Sequence, residues 1–191
     1  MKISGKFVLK VAGTLTIIAL VVAALLGVVD MVTHDKIDAI NVEKTNQALA
    51  AVAPEGAEFT PVELSDAAVS AAAAYGTLDS MYAMSTGGYA MKIVASGSQG
   101  SIEMIVGVDA NKALTGVSVV SHSETGGIGT KVINNDPNSA GTPVLDQFIG
   151  MSGAGSLVVG KTVTPISGAT VTSKGITAGC NAALAAVEAM G

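Results

Sequence analysis

The residues best placed to do chemistry are Ser167-Gly168-Ala169-Thr170, a run of small and hydroxyl side chains leading into an Ala-rich helical pattern, Lys174 to Met190. Ser and Thr hydroxyls cap first helical turns. Gly168 lets the backbone approach a ligand closely. The amides and positive dipole end of a helix N-terminus suit a phosphate. Thr170 therefore reads as a hydroxyl held where a phosphate would sit, although an ordinary helix cap after a turn has the same local pattern. A second cluster is His122-Ser123-Glu124-Thr125-Gly126-Gly127-Ile128-Gly129-Thr130-Lys131, with three glycines within four residues. Such a loop can lie against a flat ligand, with Glu124, Thr125 and Lys131 as its polar groups, or it can be a plain surface loop.

Other chemistries fit poorly. Residues 155–162 read Gly-Ser-Leu-Val-Val-Gly-Lys-Thr, which matches a P-loop letter for letter. A P-loop is a turn between a strand and a helix. Here Leu157-Val158-Val159 has strand character, and Val163-Thr164-Pro165 is a poor helix start. No Asp follows position 146 to serve as a later Walker-B carboxylate. Gly127-Ile128-Gly129 lacks the third glycine of a dinucleotide fingerprint. The single cysteine, Cys180, leaves no intramolecular disulfide and no Cys-based metal or iron–sulfur site, and it reads as a small buried apolar residue. There is no plausible Ser/His/Asp triad and no metal-ligand spacing. From Asp30 onward seven lysines face fifteen acidic residues, a net of −8, and the chain has no arginine. That balance excludes nucleic acid binding, which needs clustered Lys and Arg against phosphates.

The elements that must position these residues are legible in outline. Met31 to Val52 keeps a helical pattern and continues the preceding apolar helix until Pro54. Leu64 to Ala74 favours a short helix, with Ser65-Asp66 before its Ala run. The period then changes. Gly88 to Ser96, Ser101 to Val108 and Ala113 to Ser121 read as strands, separated by turn signals at Gly97-Ser98-Gln99-Gly100 and Asp109-Ala110-Asn111-Lys112. Connections this short make an antiparallel β-meander. A Gly- and Asn-rich loop is expected from Glu124 to Thr142, a short helix at Val144 to Met151 and a further strand at Leu157 to Thr164. The last helix carries an apolar stripe of Ile176, Cys180, Leu184 and Val187. The fold class is α+β.

The N-terminal region sets the compartment. Lys2, Lys6 and Lys10 precede Val11 to Val29, a run of 19 residues without a charge, and Asp30, Asp35 and Asp38 follow it. That length spans a bilayer core, and the lysines put the N-terminus in the cytoplasm. The run is long for a signal-peptide apolar region and has no convincing small-x-small cleavage site after it, so an uncleaved anchor is expected. The expected organisation is a cytoplasmic N-terminus at 1–10, a transmembrane helix at 11–29, a helical stalk at 30–54 and an extracytoplasmic domain at 55–191.

Ser-Gly-Ala-Thr before a C-terminal helix, His-x-Glu-Thr-x-Gly-x-Gly after a β-meander, and one N-terminal membrane helix together resemble the FMN-binding family over essentially the whole chain. Within it the likeness is greatest to the G subunits of Rnf-type ion-translocating electron transport complexes, with the C subunits of the sodium-pumping NADH:quinone reductase as relatives. The resemblance implies FMN joined by a phosphoester to Thr170 by a separate flavin transferase. Ser167, Gly168, Ala169 and Thr172 would flank the attachment, and the loop Glu124, Thr125, Gly126, Gly127, Ile128, Gly129 with Lys131 would lie against the flavin. Gly126 stands where the family usually has Pro, and Thr164 where it usually has Asp. With three Phe, three Tyr and no Trp, such a domain would hold the ring by backbone and aliphatic contacts. The implied role is a redox subunit without an independent catalytic site, working with the other membrane and redox subunits of a ferredoxin:NAD+ oxidoreductase coupled to ion transport. A quinone-reductase subunit, an independent extracytoplasmic flavin carrier and a non-redox anchored domain are the alternatives.

Overall fold

The computed structural model describes residues 5–191. Lys2 lies outside them, as do the side chains of Asp35 and Asp38. Contacts divide the chain into two units, Met1–Glu43 and Lys44–Gly191. The first consists of most of a long helix, α1 (Gly5–Val52). Its stretch Leu9–His34 is long and apolar enough to cross a membrane, and Leu15, Leu20, Leu25 and Val29 are exposed along it. The helix ends at Val52, just ahead of Pro54, because a residue preceding proline is pushed out of the helical region.

The second unit is built on one five-stranded antiparallel sheet in chain order: β1 (Phe59–Val62), β2 (Thr77–Met84), β3 (Tyr89–Ser96), β4 (Ser101–Val108) and β5 (Leu114–His122). The three expected strands agree with β3, β4 and β5 to within a residue at each end. Between β1 and β2 lies α2 (Asp66–Ala72), whose N-cap Ser65 accepts a hydrogen bond from the Ala68 amide at 3.2 Å. Successive residues of β4 serve opposite faces of the sheet. Met104 and Val106 join the larger core with α2 and the last helix, α4 (Thr170–Ala189), while Ile105 packs with Ala48, Leu49 and Val52. On that second face the Thr115 hydroxyl donates to the Val52 carbonyl at 2.5 Å.

α4 lies close on the sheet because its contact face is small. A Cβ on Gly175 would meet the Ser96 carbonyl at 2.5 Å, and one on Gly179 would meet Met104 Sδ at 2.5 Å. Ile176, Cys180 and Leu184 are completely buried and Val187 nearly so, as the stripe predicts. Full burial of each large apolar side chain contributes about 1.5–3 kcal/mol. This close approach brings the start of α4 to the β3–β4 turn, where Gly97 donates to the Gly100 carbonyl at 2.7 Å.

Four expectations are corrected. Leu157 to Thr164 is not a strand. Its one ladder contact is an isolated parallel bridge, Val159 to Val163, because the chain doubles back through Gly160 at φ +84°, while Thr162 Oγ1 takes the Val158 amide. Val144 to Met151 shortens to one 3₁₀ turn, Asp146–Phe148. The loop from Glu124 to Thr142 contains a short helix, α3 (Gly129–Ile133). α4 begins at Thr170 rather than Lys174, and its N-cap is Ala169, with no side chain capping it.

Candidate functional site

The two sequence clusters meet. A cleft of about 130 Å³ has Thr125, Ile128 and Gly129 on one side and Gly168, Ala169, Thr170, Val171 and Thr172 on the other, with Ser98 and Glu124 completing its lining. Gly126, Gly127, Lys131 and Ser167 are exposed neighbours on the same segments and do not line it.

The Thr170 side is shaped by its own turn. Buried Ile166 and Ala169 anchor the segment. The Ala169 amide bonds the Ile166 carbonyl at 3.0 Å, and Gly168 turns the chain at φ +83°, where a side chain would be strained. The first amide of α4 to bond backward is that of Ser173, to the Ala169 carbonyl at 3.0 Å. The amides of Thr170, Val171 and Thr172 therefore have no partner inside the helix, as at any helix start. With alanine at the cap no hydroxyl takes them either. The expectation that Ser or Thr caps this helix fails, and the first-turn amides remain without a side-chain partner.

The hydroxyls of the segment divide sharply. Thr172 and Ser173 are each 1% exposed. Thr172 Oγ1 donates to Glu124 Oε2 at 2.5 Å, and Ser173 Oγ donates to the Ala169 carbonyl at 3.0 Å. Ser167 and Thr170 are exposed. Of the four, Thr170 is the one that is exposed, lines the cleft and stands in the open first turn of α4.

Glu124 faces the protein rather than open solvent. It is buried, and its other carboxylate oxygen, Oε1, accepts from the amides of Ser98 at 2.7 Å and Gln99 at 3.4 Å. Its own amide donates to His122 Nδ1 at 3.1 Å, which makes His122 an exposed, hydrogen-bonded residue at the strand end. Ile128 is half-exposed and presents the apolar surface on the loop side. Gly127 turns at φ +75° and donates to Thr130 Oγ1 at 2.8 Å, while Lys131 lies exposed on α3.

Sequence reasoning missed Ser98 and Gln99. Their role follows from the turn Gly97-Ser98-Gln99-Gly100, which is visible in the sequence, but nothing local shows that its amides face a carboxylate 25 and 26 residues later. The cleft falls short of the about 300 Å³ of a ligand pocket. A wider groove of about 600 Å³ runs beside α4, lined by Val171, Lys174, Ala178, Val69 and Tyr75 among others, and shares Val171 with the cleft.

Comparison with known proteins places the chain among flavin-binding and oxidoreductase subunits. The model of the FMN-binding domain matches residues 97–185, a segment that begins at the Gly97 turn and takes in the loop, Thr170 and most of α4. The G subunit of the Na+-translocating ferredoxin:NAD+ oxidoreductase complex of Acetobacterium woodii is 30% identical over 94% of this chain and 91% of its own length. The G subunit of the ion-translocating oxidoreductase complex of Methanosarcina acetivorans is 29% identical over 97% of each chain. The corresponding G subunit from Aliivibrio fischeri matches a shorter stretch, 50% identical over 40 residues. With relatives aligned from end to end and the matched domain spanning both walls of the cleft, this chain belongs to the FMN-binding family, among the G subunits of ion-translocating oxidoreductase complexes.

Proposed function

We propose that this chain is an electron-transfer flavin subunit of an Rnf-type membrane complex, with FMN held covalently as a phosphoester on Thr170. The observation that carries the attachment is the exposed Thr170 hydroxyl in the uncapped first turn of α4. The open amides of that turn bind the phosphate charge, and the exposed face of Ile128 offers apolar contact where the flavin leaves the cleft. FMN supplies the electron chemistry; the chain supplies position and electrostatics. Attachment requires an activated donor, a flavin nucleotide with a pyrophosphate bond. Thr170 Oγ loses its proton and bonds the FMN phosphorus, and the pyrophosphate bond breaks to release a nucleoside monophosphate, with no change of oxidation state. A flavin transferase catalyses this step. The relatives' place in ion-translocating oxidoreductases supports a redox role alongside other membrane subunits, with ferredoxin oxidation and NAD+ reduction as the overall reaction. The apolar stretch of α1 supports a single-pass anchor, oriented with the N-terminus in the cytoplasm.

The test is intact mass after co-expression with a flavin transferase. Wild type should gain one FMN less water and fluoresce on a denaturing gel, and Thr170→Ala should lose both while remaining folded. Loss in Thr172→Ala with retention in Thr170→Ala would move the attachment to the other threonine. A wild-type chain with no added mass would remove the covalent reading altogether.

A further inference from the structure

Glu124 is the one carboxylate in the cleft, and it is spent entirely on the protein. It is 7% exposed, and both its oxygens are occupied: Oε1 by the Ser98 and Gln99 amides and Oε2 by the Thr172 hydroxyl. It therefore ties three separate segments together: the β3–β4 turn, the stretch of chain leaving β5 and the first turn of α4. The packing around it is closed. A Cβ on Gly97 would collide with Oε1, and a Cβ on Gly129 with Oε2. Thr172, which Glu124 grips, is two residues from Thr170 and projects from a different side of the helix. The grip thus sets the rotation of the first turn without occupying the hydroxyl that is to react.

Resting on Thr170 as the attachment point, we propose that the Glu124–Thr172 bond is the positioning device for flavin attachment: it fixes the rotation of α4 so that Thr170, and not its neighbours, is presented to the incoming phosphorus. Glu124 acts through Thr172 and touches neither the donor nor the reacting oxygen. A misplacement of about 1 Å at a reacting group costs up to a hundredfold in rate, so loosening this turn should slow the transfer while leaving the surface that meets the transferase intact.

The experiment uses the full chain in detergent, purified without FMN, with a purified flavin transferase and its flavin dinucleotide donor. Loading is followed by intact mass. Thr172→Ala should lower kcat for loading about tenfold with little change in KM. Thr172→Ser, which keeps the hydroxyl, should recover most of the rate. Thr172→Val keeps the side-chain volume and removes the hydroxyl, and should also lower kcat with KM unchanged. Protection of buried Cys180 from a thiol reagent confirms that each variant is folded. If Thr172→Ala does not fold, Thr172→Val alone decides. Wild-type kcat in every folded variant would overturn the positioning role while leaving Thr170 as the attachment point. A rise in KM with kcat unchanged would overturn it too, since that marks a docking contact. Failure of wild type to take up any FMN would overturn both readings.

Discussion

A methyl group on residue 129 has no space to occupy, because Glu124 and Thr172 already fill it, whereas one on residue 126 meets no atom within 4 Å. The glycines of this loop therefore do different jobs. Gly129 makes room for a buried carboxylate inside the protein. Gly127 is needed for its φ of +75°. Gly126 is free of both constraints. In the sequence all three read alike, as room for a flat ligand; the crowding at Gly129 depends on a side chain five residues away and its partner on α4, which no local pattern reveals. Gly129→Ala should cost about 2 kcal/mol or more as an overpacking change. Gly127→Ala should cost about 1 kcal/mol from the left-handed backbone. Gly126→Ala should stay within about 0.5 kcal/mol of wild type. Urea midpoints of the three variants check the ranking, and equal midpoints for Gly126→Ala and Gly129→Ala would contradict the packing described around Glu124.

At the scale of elements, the legible patterns are those with a strong period or a strong punctuation. The helical stripe from Ile176 to Val187 and the turns at residues 97–100 and 109–112 mark α4 and the β3–β5 meander. In the second turn Asp109 Oδ1 takes the amides of Asn111 at 2.8 Å and Ala113 at 2.9 Å, so Asp109 sets it chemically. β1 and β2 carry neither signal. Phe59–Val62 is four residues long with a proline, and Thr77–Met84 carries Asp79 and Ser80 beside a register shift. Conversely, Leu157-Val158-Val159 has the composition of a strand and forms a turn, because Asn181 on α4 claims its backbone: Oδ1 accepts the Leu157 amide at 3.4 Å and Nδ2 donates to its carbonyl at 2.9 Å. A tertiary contact overrides local preference there. α4 also carries a simple probe of its own integrity. Cys180 is fully buried, and burial pushes its thiol pKa well above the ordinary value, so the reactive thiolate is scarce in the folded state at neutral pH. Iodoacetamide at pH 8 should leave it unmodified in the native chain and label it fully in denaturant. Rapid native labelling would mean that α4 separates readily from the sheet.

At the scale of the whole chain, the two physical demands on the sequence are separate. The second unit buries its large side chains against a sheet, whereas α1 over Leu9–His34 leaves Leu15, Leu20, Leu25 and Val29 exposed. Exposed aliphatic side chains over this length are costly in water and favourable in hydrocarbon, so the segment calls for a bilayer. The proposed direction of crossing rests on charge. Lys2, Lys6 and Lys10 precede the apolar run, and beyond it the chain carries a net −8 from seven lysines and fifteen acidic residues. In the orientation proposed above, the lysine asymmetry holds the N-terminus in the cytoplasm and carries the second unit across. That placement would give the proposed covalent bond a use, since a cofactor lost outside the cell could not be recovered. Protease added to sealed right-side-out vesicles should digest the chain beyond Asp30, and in-gel flavin fluorescence should disappear from the full-length band at the same rate. Inverted vesicles should protect both. Full protection in right-side-out vesicles that become sensitive once detergent is added would place the flavin on the cytoplasmic side, where the lysines could no longer be what orients α1.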